Sequence, residues 1–235
     1  MTLASGAKFI GHPDCVVSSS LIYADWPEYH ELKFIRSRLS PTDLVIDVGA
    51  NVGHLSLLLS DLVDPANIFA FEPTPLTYGR LVKNWQINGW STEHLFQLAV
   101  GAEEAEVEIS DVTTPDTVNS VLATKQGVSK VRVRQRSLDS FREQWSSGIG
   151  LLKIDVEGYE PQVFAGAKQL LRNERPKLIM FESLHGAPPR EIAAVLGQVD
   201  YKIFQLDHGG KPDFRSTSAQ NLFAIPAESI ENVSN

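Results

Sequence analysis

Cysteine occurs once in the 235 residues, at Cys15, and methionine only twice. A single thiol excludes an intramolecular disulfide and suits a reducing compartment. No run of about twenty apolar residues is present, so no membrane-spanning helix is expected, and no amino-terminal apolar segment marks the chain for export. Positive charge is also short: 21 Lys and Arg stand against 29 Asp and Glu, a formal net charge of -8. That balance argues against a general nucleic-acid binder, which needs cationic density to displace counterions. No Pro/Gly/Ser-rich stretch divides the chain and no internal repeat is visible. One α/β domain with a full-size core is expected, located in the cytoplasm, where the sequon Asn232-Val233-Ser234 is accidental.

A further absence is chemical. The apolar run Leu44 to Val48 feeds the turn Gly49-Ala50-Asn51-Val52-Gly53, but Asn51 stands where a dinucleotide-binding Gly-x-Gly-x-x-Gly needs glycine. Asp47 precedes that turn, and its charge would repel a pyrophosphate. S-adenosylmethionine carries an ammonium and a sulfonium instead, both of which a carboxylate favours. One strand later, Ile68 to Phe71 ends at Glu72-Pro73, placing an acid to accept the two ribose hydroxyls of an adenosine. Glu72 alone is shared with NAD enzymes. Together with Asp47 it favours the methyl donor over an NAD-dependent oxidoreductase.

Periodicity sets the architecture. Trp26 to Leu39 has apolar residues at helical spacing and is stopped by Pro41, predicting a helix that packs beside the first strand. Helices are expected at Val52–Val63, Pro75–Ile87 (capped by Asn88-Gly89), Tyr159–Arg172 and Arg190–Leu196. Strands are expected at Leu44–Val48, Ile68–Phe71, Leu95–Val100, Ile149–Asp155 and Lys177–Phe181. Tyr201–Leu206 and Asn221–Ile225 have no helix between them and read as a closing antiparallel hairpin. The fold class is therefore α/β: a Rossmann-like, seven-stranded, mostly parallel sheet of the methyltransferase type. Residues 1–42 are an amino-terminal segment and helix, and 43–235 the catalytic domain. Glu106–Ser110 and Lys130–Arg136 alternate at period two and suggest an added antiparallel pair. The cations Lys130, Arg132, Arg134 and Arg136 read as a solvated sheet edge, or as a surface for an anionic acceptor. Asp111 to Gly127, between them, is a long polar loop, of a length that in a compact domain is usually functional or mobile.

Acids gather where an open parallel sheet puts its chemistry, at the carboxyl ends of its strands. Lys153, Asp155 and Glu157 share one face of an extended segment. Glu182 follows the next strand, and His185 comes soon after it. Asp155, Glu157 and the Glu182–His185 pair are candidates for the base that removes a hydroxyl proton. Three carboxylates and a histidine also suit a divalent metal, though no tight ligand spacing supports one. Blander readings are a Lys153–carboxylate ion pair and a capping role for Glu160.

In order, Asp47-Val-Gly-Ala-Asn-Val-Gly53, Phe71-Glu72-Pro73, Leu98-Ala99-Val100-Gly101, Ser137-Leu138-Asp139 and Lys153-Ile-Asp-Val-Glu-Gly-Tyr-Glu160 resemble the FkbM family of S-adenosylmethionine-dependent methyltransferases. The resemblance implies methyl transfer to a hydroxyl oxygen of a sugar, glycan, polyketide or related metabolite. By motif, Asp47, Gly49, Ala50, Asn51 and Gly53 would hold the methionine part of the donor. Glu72 and Pro73 would hold its ribose, and Ala99 and Val100 would border its adenine. Asp155 and Glu157 would face the transfer site. A donor-binding regulatory or scaffold protein without catalysis is the rival of a different class, and the set of acids at the sheet edge speaks against it. Nucleic-acid methylation is disfavoured by the acidic balance, and nothing favours protein methylation. No membrane or nucleic-acid partner is expected.

Overall fold

The computed structural model describes residues 1–24, 28–111, 129–145, 148–183 and 186–232. Trp26, His185, most of the Asp111–Gly127 loop and the end of the sequon lie outside the described residues.

The strands are β1 (Leu44–Val48), β2 (Ile68–Phe71), β3 (Leu95–Phe96), β4 (Ala99–Val100), β5 (Ala105–Asp111), β6 (Ser129–Arg136), β7 (Ile149–Ile154), β8 (Leu178–Glu182), β9 (Tyr201–Leu206), β10 (Pro212–Asp213) and β11 (Asn221–Pro226). The helices are α1 (Val16–Ala24), α2 (Tyr29–Arg36), α3 (His54–Leu59), α4 (Pro75–Gln86), α5 (Glu160–Ala165) and α6 (Arg190–Gln198). The main sheet runs β10-β9-β11-β8-β7-β1-β2-β3. Its centre is parallel, and β11 is inserted antiparallel between β8 and β9. The expected seven-stranded order with its closing hairpin is present, but the sheet has eight strands. The two residues of β10 add a short edge pair on β9 that is too brief for sequence alternation to register.

Side-chain alternation divides the core. Leu44, Ile46 and Val48 of β1 face one side with Leu152, Ile154, Phe164 and Phe181. Val45 faces the other with Leu151, Met180, Leu57 and Trp85. Asp47 lies on the second face by the same period of two. The helix expected from Trp26 is described as α2, whose Phe34 packs edge-on against Phe204 and Phe223 of β9 and β11. It therefore covers the antiparallel end of the sheet rather than only the neighbourhood of β1.

Three expected elements differ. The single strand Leu95–Val100 splits: β3 pairs with β2, while β4 turns away to pair with β6. The helix from Tyr159 stops at Ala165, because Gly166 packs so closely on Gly101 that a Cβ there would strike the Gly101 carbonyl oxygen. The chain restarts as a π-helical turn, Leu170–Glu174, where Asp139 accepts from the amides of Gln169 and Leu170. The helix predicted over Val52–Val63 is regular only over His54–Leu59.

The small sheet β4-β6-β5 confirms the antiparallel pair, but β6 is its central strand and not an edge. Arg132 lies opposite Glu108 and Arg134 opposite Glu106. Lys130 and Arg132 approach Glu108, Arg134 approaches Glu104, and Arg136 lies over the Phe141 ring. Lys130, Arg132 and Arg134 are exposed as the solvated reading expects, but on a central strand, with glutamates of the neighbouring strand and turn beside them.

Candidate active site

Over the carboxyl edge of β1, β2 and β7 lies a cavity of about 740 Å³. Its floor begins with the turn after β1. Gly49 (φ +76°) donates its amide to the Phe71 carbonyl, as does Ala50. A Cβ at Gly49 would collide with the Asp155 carbonyl oxygen, so only glycine lets β1 and β7 close together there. Asn51 (φ +53°) accepts from the Val52 amide through its side-chain oxygen, and Asn tolerates the left-handed region it occupies.

Glu72 sits at the end of β2 as expected and lines the cavity. One carboxylate oxygen accepts from the Asn51 amide at 3.1 Å and the other from the Thr74 amide at 2.9 Å. Burial pushes its pKa up, while those amide bonds pull the other way. The acid is thus locked to the glycine turn, with a lone pair remaining on each oxygen for a ligand. Pro73, Ala99 and Val100 line the cavity beside it, with Leu98.

Asp47 stands elsewhere than its motif suggested. It is fully buried and is not among the residues lining the cavity. Register sets Asp47 directly opposite Lys153, so two charges meet inside the sheet. Lys153 Nζ lies 3.2 Å from Asp47 Oδ1 and 3.7 Å from Asp155, and donates to the Gly49 carbonyl at 2.7 Å. Ser56 Oγ donates to the other Asp47 oxygen. Asp47 therefore holds the lysine that holds the turn. Ala50 and Gly53 are also set behind the wall: Ala50 is fully buried, and Gly53 leaves room for Leu81 and Trp85 of α4. Replacing Lys153 by Met is expected to destabilise the fold by about 3–5 kcal/mol by stranding a buried carboxylate. Adding Asp47→Asn should recover part of that loss, as read from urea unfolding midpoints at constant slope.

Three of the acids expected at the carboxyl edge meet at the ends of β7 and β8; His185, expected beside them, lies outside the described residues. Oxygen atoms of Asp155, Glu157 and Glu182 all lie within 4.8 Å of one another. Glu157 has φ +56°. Glu160 clamps the preceding turn by accepting from the amides of Val156 and Gly158, in line with a capping role. Burial and then the neighbouring charges of Glu182, Asp155 and Glu160 push the Glu157 carboxyl up to about 8. Burial also raises Glu182, which accepts from Gln220 through one oxygen while the other is buried without a partner among the described residues. Asp155 and Glu157 line the cavity; Glu182 is buried behind them. The site thus combines one aspartate beside a lysine with two glutamates held toward protonation.

Sequence reasoning missed several wall residues. Cys15, Val16, Val17 and Ser20, at and within α1, close one side of the cavity, and Glu28, Glu31, Leu32 and Ile35 close another. His54, the residue after the glycine turn, lines it as well. Its position next to Gly53 was the available signal.

Comparison with known proteins fits this geometry. The Methyltransferase FkbM domain matches residues 47–203. A hexuronic acid methyltransferase, AglP of Haloferax volcanii, is 24% identical over 73% of this chain and 68% of its own length. The 2-O-methyltransferase NoeI of Sinorhizobium fredii is 26% identical over 57% of this chain and 61% of its own. Among solved structures, methyltransferase FkbM of Methylobacillus flagellatus superimposes with a TM-score of 0.52 at 15% identity, over 80% of this chain and 44% of that one. With a glycine turn, a strand-end glutamate and a matched domain that covers most of the sheet, the chain belongs to the FkbM methyltransferase family.

Proposed function

We propose that the protein is an S-adenosylmethionine-dependent O-methyltransferase acting on a sugar or glycan hydroxyl. The observation that carries this is Glu72, fixed by two amides at the cavity wall between the glycine turn and the apolar Leu98–Val100 segment. That is the arrangement an adenosine ribose requires. The name of AglP, a hexuronic acid methyltransferase, supports a carbohydrate acceptor, and that of NoeI, a 2-O-methyltransferase, supports transfer to oxygen. The single thiol and the absence, among the described residues, of any helix long and apolar enough to cross a membrane are consistent with work in the cytoplasm.

The donor supplies an electrophilic methyl group on a sulfonium. The chain's own contribution is position and proton management. Glu72 takes the ribose, Leu98 to Val100 the base, and Gly49 and Asn51 the amino-acid end. Lys153 lies 3.7 Å from Asp155, which faces the donor's cationic end. Glu157 accepts the acceptor hydroxyl proton as the carbon–oxygen bond forms and the carbon–sulfur bond breaks. A base with a pKa near the working pH is best suited to that step. The all-oxygen set Asp155–Glu157–Glu182 also suits a divalent cation, which would pull Glu157 back down.

The test is transfer of labelled methyl from S-adenosylmethionine to fractionated glycans and small metabolites, followed by base treatment. Base-stable label in a carbohydrate fraction is the expected result. Label confined to protein or nucleic acid, or to no fraction at all, overturns the reading.

A further inference from the structure

The donor's amino-acid end is a zwitterion, and this cavity treats its two charges unequally. Asp14, Glu28, Glu31, Glu72, Asp155 and Glu157 line the wall, so an ammonium has many partners. The carboxylate has few. The lining holds two permanent cations among the described residues, and both are engaged. Arg80 pairs with Asp14 at 2.7 Å, and Lys153 is shared among Asp47, Asp155 and two backbone carbonyls.

The turn's amides are engaged too. Gly49 and Ala50 donate to the Phe71 carbonyl, Asn51 to Glu72, Val52 to the Asn51 side chain and Gly53 to the Ala50 carbonyl. Every N–H from 49 to 53 is therefore committed inside the protein, and the turn cannot also cradle an anion. Satisfying the donor carboxylate needs a side chain.

His54 is the next residue. It lines the cavity, and its Nδ1 is buried with no hydrogen-bond partner among the described residues. Leaving a buried polar atom unmatched costs about 1–3 kcal/mol, so such an atom in a cavity wall points to a ligand. The charged groups around it are Lys153 and Asp155 of the β7 edge, Asp47 of β1 and Glu28 beside α2. Burial, then Lys153, lowers its pKa, so the imidazole is neutral and keeps one N–H to donate.

We propose that His54 is the hydrogen-bond donor to the carboxylate of the methyl donor's amino-acid end. This rests on the donor reading above. It makes His54 a donor-selectivity residue, distinguishing the intact amino-acid tail from a nucleoside that lacks it.

The test needs no acceptor. Affinities for S-adenosylmethionine, S-adenosylhomocysteine and 5′-methylthioadenosine, which has no amino-acid carboxylate, are measured by calorimetry for the wild type, His54→Phe and His54→Gln. Phe keeps the ring volume without an N–H, and Gln restores an N–H. A hydrogen bond to a charged group implies roughly a 10- to 100-fold loss for the first two ligands in the Phe variant. Methylthioadenosine should change less than about twofold, and Gln should recover part of the loss. An unchanged affinity for S-adenosylmethionine, or a parallel loss for all three ligands, overturns the proposal. A wild-type protein that binds none of the three overturns the donor reading itself. Binding of methylthioadenosine equal to that of S-adenosylmethionine in the wild type overturns the His54 role alone.

Discussion

Replacing Glu72 by Ala is expected to weaken S-adenosylmethionine binding on the order of 100-fold, since two charge-assisted hydrogen bonds to the ribose are lost together. The same variant frees the Asn51 and Thr74 amides that Glu72 now holds, so part of the loss comes from a loosened turn. Glu72→Gln separates the two effects. It keeps an oxygen for one amide but removes the charge, and should fall between wild type and Ala. Equilibrium titration of both variants is the measurement. A dissociation constant unaltered in Glu72→Ala would remove the ribose from this end of β2.

Glu157→Gln is expected to behave in the opposite way. Donor affinity should stay within about twofold while turnover at saturating donor falls by roughly 10²- to 10⁴-fold, the usual contribution of a positioned base. The pH profile supplies the sign. A carboxyl raised to about 8 is mostly protonated below that pH and cannot accept a proton. Wild-type turnover should therefore rise through about pH 8, and the Gln variant should lose that limb. A bound divalent cation would move the limb to lower pH, so the profile with and without chelator reads the role of the acid triad.

Stability gives a check on Glu157 that needs no acceptor. A carboxyl whose folded pKa lies above its unfolded value binds more protons folded than unfolded across that interval. Its contribution is present in acid and is lost as pH rises from about 4.5 toward 8. Unfolding midpoints should fall over that window in the wild type and fall less in Glu157→Gln.

Much of the sheet was legible because buried parallel strands are short apolar runs bounded by turn residues. Val45, Ile68, Leu151 and Ile179 sit in such runs and are inside. Pairing partners were less legible. Asp47 read as a donor contact because its neighbours in sequence form the ligand turn. Only the β1–β7 register shows that its charge is spent on Lys153. The acids at the strand ends were placed correctly as a group, since strand polarity puts carboxyl ends on one edge. Which of them meets the cavity depends on a turn where Glu157 and Gly158 adopt positive φ. The wall supplied by α1 was not legible at all: Val16–Ala24 is apolar without a clear face, so no period announces what it covers.

The amino-terminal segment buries Leu3, Ala7 and Phe9 in the core and sets the Ser5 hydroxyl on the Leu57 carbonyl, but its backbone is gripped as well. Asn88 bonds the amide and the carbonyl of Lys8, and Asn84 bonds the Ile10 amide while donating to the Val52 carbonyl beside the glycine turn. Asn84 of α4 and Asn88 just beyond its end thus read only main chain, and Asn84 touches the turn as well. At those contacts, any sequence that keeps the same backbone path is held equally well. Cys15, Val16, Val17 and Ser20, which follow, line the cavity, so its wall can change chemistry while the glycine turn behind keeps its shape.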